Sequence, residues 1–128
     1  MSLLIPVSWG EMLDKLTILE IKQERIKDKK KRHNISVELQ QLMAIYQQSG
    51  VFASKLTTLI DELRLVNETL WDIEDKIRAC EKTGDFSSRF IELARSVYIT
   101  NDRRADLKYQ INRLLDSDII EEKSYESY

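Results

Sequence analysis

The chain has 128 residues, of which 33% are charged and 42% hydrophobic, with 20 basic side chains against 22 acidic ones. That length suits one domain able to bury about two-thirds of its unfolded surface, and the composition belongs to a folded chain rather than a disordered one. A formal net charge of −2 argues against a general nucleic-acid binder.

Met1–Val7 has no basic segment and only a short apolar stretch, so neither a signal peptide nor a spanning helix is expected there. Residues 1–8 read as an extended N-terminal arm, with 3–7 able to lie against a neighbour. Ser8 to Glu11 has the spacing of a capping box, in which hydroxyl and carboxylate each satisfy a free backbone donor. A first helix is expected from Trp9 to Lys30. It carries Met12, Leu16, Leu19 and Ile26 on one side and Ile18 and Ile21 on the other, the pattern of a helix sandwiched in a bundle or an oligomer. The basic run Lys29-Lys30-Lys31-Arg32-His33 reads as its solvated C-terminal end, where cations offset the helix dipole. A second helix is expected to open near Asn34 or Ser36 and to stop at Ser49-Gly50.

The third helix, expected over Ala53–Lys82 and closed by Thr83-Gly84, has the clearest pattern. Leu56, Leu59, Leu63, Val66, Leu70, Ile73, Ile77 and Cys80 alternate spacings of three and four, which is a coiled-coil seam. A second flank holds Ile60, Asn67, Trp71, Glu74 and Arg78, facing another helix, expected to be the first. The fourth helix, expected over Ser87–Leu115, carries a matching stripe of Phe86, Phe90, Leu93, Ala94, Val97, Ile111 and Leu115. The link at Gly84-Asp85 is too short for anything but an antiparallel hairpin. Residues 117–128 read as a polar tail. The fold expected is all-α: a bundle of four main helices built on this long hairpin, in a single domain spanning 1–128.

Cys80 and His33, each the only residue of its kind, can make neither an internal disulfide nor a structural zinc site. No cofactor or metal is expected, and a reducing, cytoplasmic setting is the default. The acidic row Asp61, Glu68, Asp72 and Asp75 evokes the magnesium carboxylates of all-α nucleotide hydrolases. At about 100° per residue, however, it lies opposite the leucine seam and points to water. A more unusual signal is the interruption of the fourth helix's stripe by Asn101, Arg104 and Lys108, in seam phase and opposite Leu70, Val66 and Leu63. Buried cations need acids or a route to water, and the candidate acids are Glu74, Glu11 and Asp14. The arrangement reads either as a buried polar network that fixes register or as a cationic pocket for a small anionic ligand, of the kind helical chorismate mutases use.

Once these residues are laid out, a resemblance emerges. Gly10-Glu11-Met12-Leu13-Asp14-Lys15-Leu16-Thr17-Ile18-Leu19-Glu20-Ile21-Lys22 resembles the opening motif of a small uncharacterised bacterial and phage family, a domain of unknown function. Leu70 to Arg78 is similar to a second motif. Phe90 to Arg95, Tyr98, Asn101-Asp102, Arg104-Ala105 and Glu121 to Tyr125 are similar to the rest. Trp9 stands where the resemblance leads one to expect proline. The resemblance implies an accessory role beside sugar-transfer and surface-polysaccharide proteins, and it places Glu11, Asp14, Lys15, Glu74, Arg78, Asn101 and Arg104 within family motifs.

Two functions of different class follow. One is a non-catalytic helical interaction or scaffold protein, self-associating as a homodimer and open to a protein partner, with no nucleic acid and no membrane insertion. The other is an anion-binding protein or enzyme whose pocket gathers Asn67, Glu74, Asn101, Arg104 and Lys108, supported by Glu11, Asp14, Lys15 and Arg78.

Overall fold

In the computed structural model, which describes residues 1–128, four helices carry the chain: α1 Trp9–Arg25, α2 Lys29–Gln48, α3 Ser54–Thr83 and α4 Ser88–Leu114. There is no strand. α3 and α4 form the long antiparallel hairpin. It turns where Gly84 adopts φ +68, which glycine reaches without steric cost, and Asp85 N–H closes the helix end on Cys80 C=O at 2.8 Å.

α1 is the central element, packed against each of the other three helices. Its two apolar sides explain this: Leu13, Leu16 and Leu19 join one core with Ile35 and Leu39 of α2, Leu56, Leu59 and Leu63 of α3, and Leu107 and Ile111 of α4. Burying a leucine or isoleucine this completely contributes about 1.5–3 kcal/mol. The polar pair Lys15–Glu38, at 2.8 Å, ties α1 to α2 on the outside.

The first helix is shorter than expected. It ends at Arg25 rather than Lys30, and the chain turns through Ile26 to Asp28 before α2 begins at Lys29 rather than near Asn34. The cause is burial. Only a reversal at this point returns Ile35 and Leu39 to the α1 face, and a helix running on to Lys30 would have carried them into water. The basic run therefore opens α2 instead of closing α1. Asp28 makes this tolerable by capping the new helix, its carboxylate accepting from Lys31 N–H at 2.9 Å. The bounds of α3 and α4 fall within one residue of expectation.

The seam needs one refinement. In α4 its fully buried positions are Leu107 and Ile111. Arg104 and Lys108 are each turned about 60° from them, toward α1. α4 touches two helices at once, so its inward arc is wider than one seam and holds both an apolar and a polar stripe.

Candidate functional site

The polar stripe of α4 meets the N-terminal half of α1. Gly10 permits the approach: a Cβ there would stand 2.6 Å from the Lys108 carbonyl oxygen and 3.0 Å from Asn112 Oδ1. The first turn of a helix leaves backbone N–H groups without intrahelical partners, and here those of Trp9, Gly10 and Glu11 are answered by side chains before Met12 opens the helical ladder. Trp9 N–H donates to Ser117 Oγ at 3.3 Å, and Gly10 N–H donates to Asn112 Oδ1 at 2.7 Å. Glu11 N–H donates to Ser8 Oγ at 3.1 Å, and Met12 N–H donates to the Ser8 carbonyl at 3.1 Å. Ser8 is thus a buried N-cap in extended conformation. Only half of the expected capping box forms, because the Glu11 carboxylate turns to Lys108 Nζ, at 2.7 Å, rather than back to its own helix end.

One turn further along, Asp14 is the hub. It is 1% exposed, and both carboxylate oxygens accept from Arg104, through Nε at 2.9 Å and through Nη2. Asn67 of α3 adds its amide, donating to Asp14 Oδ1 and to Thr17 Oγ1, both at 2.9 Å. Thr17 Oγ1 in turn donates to the Asp14 carbonyl at 2.8 Å. The fork of the guanidinium fits the carboxylate plane, which makes this the strongest kind of charged hydrogen bond. These bonds hold Arg104 above its ordinary pKa, against the burial that opposes the charge. No buried side-chain nitrogen or oxygen in the chain lacks a partner.

The C-terminal tail completes the cluster. Glu121 lies 3.5 Å from Lys108 Nζ and accepts from Ser8 Oγ at 3.1 Å. Lys123 Nζ donates to Asp102 Oδ1 at 2.8 Å, the Tyr128 hydroxyl donates to Asp102 Oδ2 at 2.5 Å, and the Tyr98 and Tyr128 rings meet edge to face at 5.1 Å. These contacts hold the Asp102 carboxyl below the usual range, Lys123 contributing most and Tyr128 next, and they push the Tyr128 hydroxyl up.

Six of the nine residues singled out in the sequence meet here: Asn67, Asn101, Arg104, Lys108, Glu11 and Asp14. Three stand apart. Lys15 faces α2 through Glu38, while Glu74 and Arg78 pair with each other along α3 at 3.4 Å, both well exposed. Glu74 still lines the upper of two grooves that flank Asn101 and Arg104. That groove, about 410 Å³, runs between α1 and α3; the lower one, about 400 Å³, lies between α4 and the tail, with Tyr98, Lys108 and Lys123 on its walls. Asn101 makes no side-chain hydrogen bond within the chain, and Arg104 uses Nε and Nη2 but not Nη1. The acidic row of α3 lies on the outside, where Asp72 accepts from Arg25 at 2.6 Å and Glu68 from Arg64 at 3.1 Å.

Asn112, Ser117, Glu121, Gly10 and Thr17 were not anticipated. Asn112 could have been, since it extends Asn101, Arg104 and Lys108 at spacings of three, four and four. Gly10 also carried a signal, a glycine inside the first turn of a helix. The tail residues had none in the periodicity, because their positions depend on how the chain folds back along α4.

The fold and site together define an all-helical protein whose central helix is fastened at its N-terminal end by a closed network of charged and amide side chains. The chain belongs to a family of unknown function, DUF6165, whose model matches residues 3–128. No curated protein and no solved structure matches it. The family agrees with the expectation of an uncharacterised all-helical group, and no helix is long and apolar enough to cross a membrane.

Proposed function

We propose that this protein is a non-catalytic helical interaction module that self-associates. The observation that carries the reading is the uncovered apolar surface at the two extremities of the molecule. Leu3 and Leu4 are 88% and 94% exposed on the N-terminal arm, and Phe86 and Ile91 are 55% and 56% exposed at the tip of the α3–α4 hairpin. Large apolar groups gathered in water favour association. The polar cluster supports the same reading from the other side. Arg104, Lys108 and Lys123 are matched by Asp14, Glu11, Glu121 and Asp102, so the network serves packing and register more than charge recognition. Sedimentation velocity on the full chain, from micromolar to near-millimolar concentration, tests it. A mass that climbs from one copy toward two is expected, and a constant monomer mass would remove the self-association.

A second reading rests on the free capacity of Asn101 and of Arg104 Nη1 beside the lower groove. In it, a small anionic ligand displaces Glu121 from Lys108 and sits between Tyr98 and Lys123. A thermal-shift screen over sugar phosphates, nucleotides and divalent metals tests this: a rise in Tm that Asn101→Ala abolishes would favour it, and a flat response would leave the interaction module alone.

A further inference from the structure

The arm and the upper groove are complementary halves of one contact. No backbone or side-chain group of residues 1–7 makes a hydrogen bond within the chain, and Leu3, Leu4 and Ile5 are 88%, 94% and 71% exposed. Ile5 precedes Pro6, whose ring disfavours the helical region for it, so the arm is held extended before it meets anything.

The upper groove supplies what an extended apolar segment lacks. Ile18, Leu70 and Trp71 form its apolar wall. Asn67, Asn101 and Arg104 also line it, and Asn67 Oδ1, the Asn101 side-chain amide and Arg104 Nη1 make no hydrogen bond inside the chain. Those are acceptors and donors of the kind a peptide backbone needs when it leaves water without a neighbouring strand. The lengths agree as well. From Asn67 to Glu74 the groove follows seven residues of α3, about 10 Å of helix, and three extended residues span about 10 Å. In that conformation Leu3 and Ile5 face the same way, toward the wall.

The arm of the same copy does not serve. Ser8 is fixed at the start of α1 by Glu11 N–H and Glu121. Ile18 to Ile21 lies ten to thirteen residues further up, about 15–20 Å along the axis. Ile5 reaches about 10 Å from Ser8 at full extension, and only after the chain reverses direction.

We infer that the Leu3–Ile5 arm of one copy lies in the upper groove of a second copy, and that a two-fold exchange of arms builds the dimer. An isologous pair satisfies both arms and both grooves with a single contact type. This rests on the reading of the protein as self-associating.

Sedimentation velocity with three proteins tests it. The triple variant Leu3→Ser, Leu4→Ser, Ile5→Ser changes side chains that lie largely in water in one copy. It is expected to keep the monomer's helical signal and to weaken dimerisation at least tenfold. The groove variant Leu70→Asp is expected to do the same, with Asn101→Ala as a companion that removes no bond within the fold. Mixing the arm variant with a groove variant pairs an intact groove with an intact arm, and should restore a heterodimer weaker than the wild-type dimer. A wild-type chain that dimerises while the arm variant dimerises equally well overturns the exchange and leaves self-association standing. Variants that both fail and do not complement on mixing also overturn it. A wild-type chain that stays monomeric overturns both readings.

Discussion

The two ends of the α3–α4 hairpin are built on opposite principles. At the end where α1 begins and α4 finishes, the interior is closed, and a polar network lies beside the apolar core: Asp14, Asn67, Thr17 and Asn112 are buried, and each finds hydrogen-bonding partners on another element or its own turn. At the far end the side chains are apolar and open. From Glu68 to Thr100 only Ile73 and Cys80 are buried, and Phe86 and Phe90 meet each other edge to face at 5.2 Å in the sight of water. Apolar contact is tolerant of small shifts, whereas a buried network admits one arrangement of its donors and acceptors. The closed end therefore fixes how α1 sits on the hairpin, and the open end is left free to meet something else.

The largest effect expected from breaking this contrast is at Asp14. Asp14→Ala leaves the Arg104 guanidinium without its acceptor and the Asn67 amide with Thr17 alone, and removing one partner of a buried pair typically costs about 3–5 kcal/mol. Arg104 keeps some access to water, so the lower end of that range is expected in urea unfolding. The matched change at the open end, Glu74→Ala, breaks only the exposed pair with Arg78 and should move stability by less than about 0.5 kcal/mol. Equal losses at the two positions would erase the distinction between the ends.

Next in size is Gly10→Ala. The new methyl would press on backbone at Lys108, which cannot rotate aside, and would push Gly10 N–H off Asn112. Overpacking of this kind costs about 1–3 kcal/mol. Because the strain lies only between α1 and α4, amide exchange should quicken in α1 and the last turns of α4 and remain unchanged around Cys80.

How much of this was legible depends on whether a signal was local. The α3 stripe and the stop at Gly84 could be read because a three-four spacing and a glycine each encode their outcome within a few residues. The oddity of Asp14, Asn67, Arg104 and Lys108 could be read too, as polar groups near apolar phase. Their pairing could not: Arg104–Lys108 and Leu107–Ile111 differ by only about 60°, and the sequence does not say that α4 has a neighbour on each side. The turn at Ile26–Asp28 contains neither glycine nor proline and exists because of contacts that Ile35 and Leu39 make after it. Glu121 and Tyr128 are placed by a tail folding back over α4, which no periodicity reports. Glu74 and Arg78 were placed near the cluster by their helix face, yet two more turns of α3 carry them beyond it.

The misread basic run gives a smaller test. Lys29 and Lys30 stand in the first turn of α2, where the helix dipole presents its positive end and only the Asp28 cap offsets it. Changing each to Glu should stabilise the chain by about 0.3–1 kcal/mol at low salt, with the gain shrinking as salt is added. Had the run closed α1 instead, the same changes would destabilise, so the sign of the shift in Tm decides.

The gentlest perturbation acts on the tail, the one strap between the closed end and the start of the open one. Asp102 is partly exposed, and its carboxyl is held below the usual range by Lys123 and by the Tyr128 hydroxyl. A depressed carboxyl contributes its docking energy above the value it has when the tail is free, and loses it as pH falls through the lower docked value. The tail should therefore stay docked at neutral and mildly acidic pH and release only below the ordinary carboxylate range. Release is read from the Tyr98 and Tyr128 ring resonances, which shift together while the rings remain edge to face and separate when they part. Asp102→Asn removes the charge that receives Lys123, so it should free the tail at every pH while leaving the α-helical signal and the unfolding midpoint almost unchanged. A midpoint that fell as far as it does for Asp14→Ala would mean that the tail, too, belongs to the closed end.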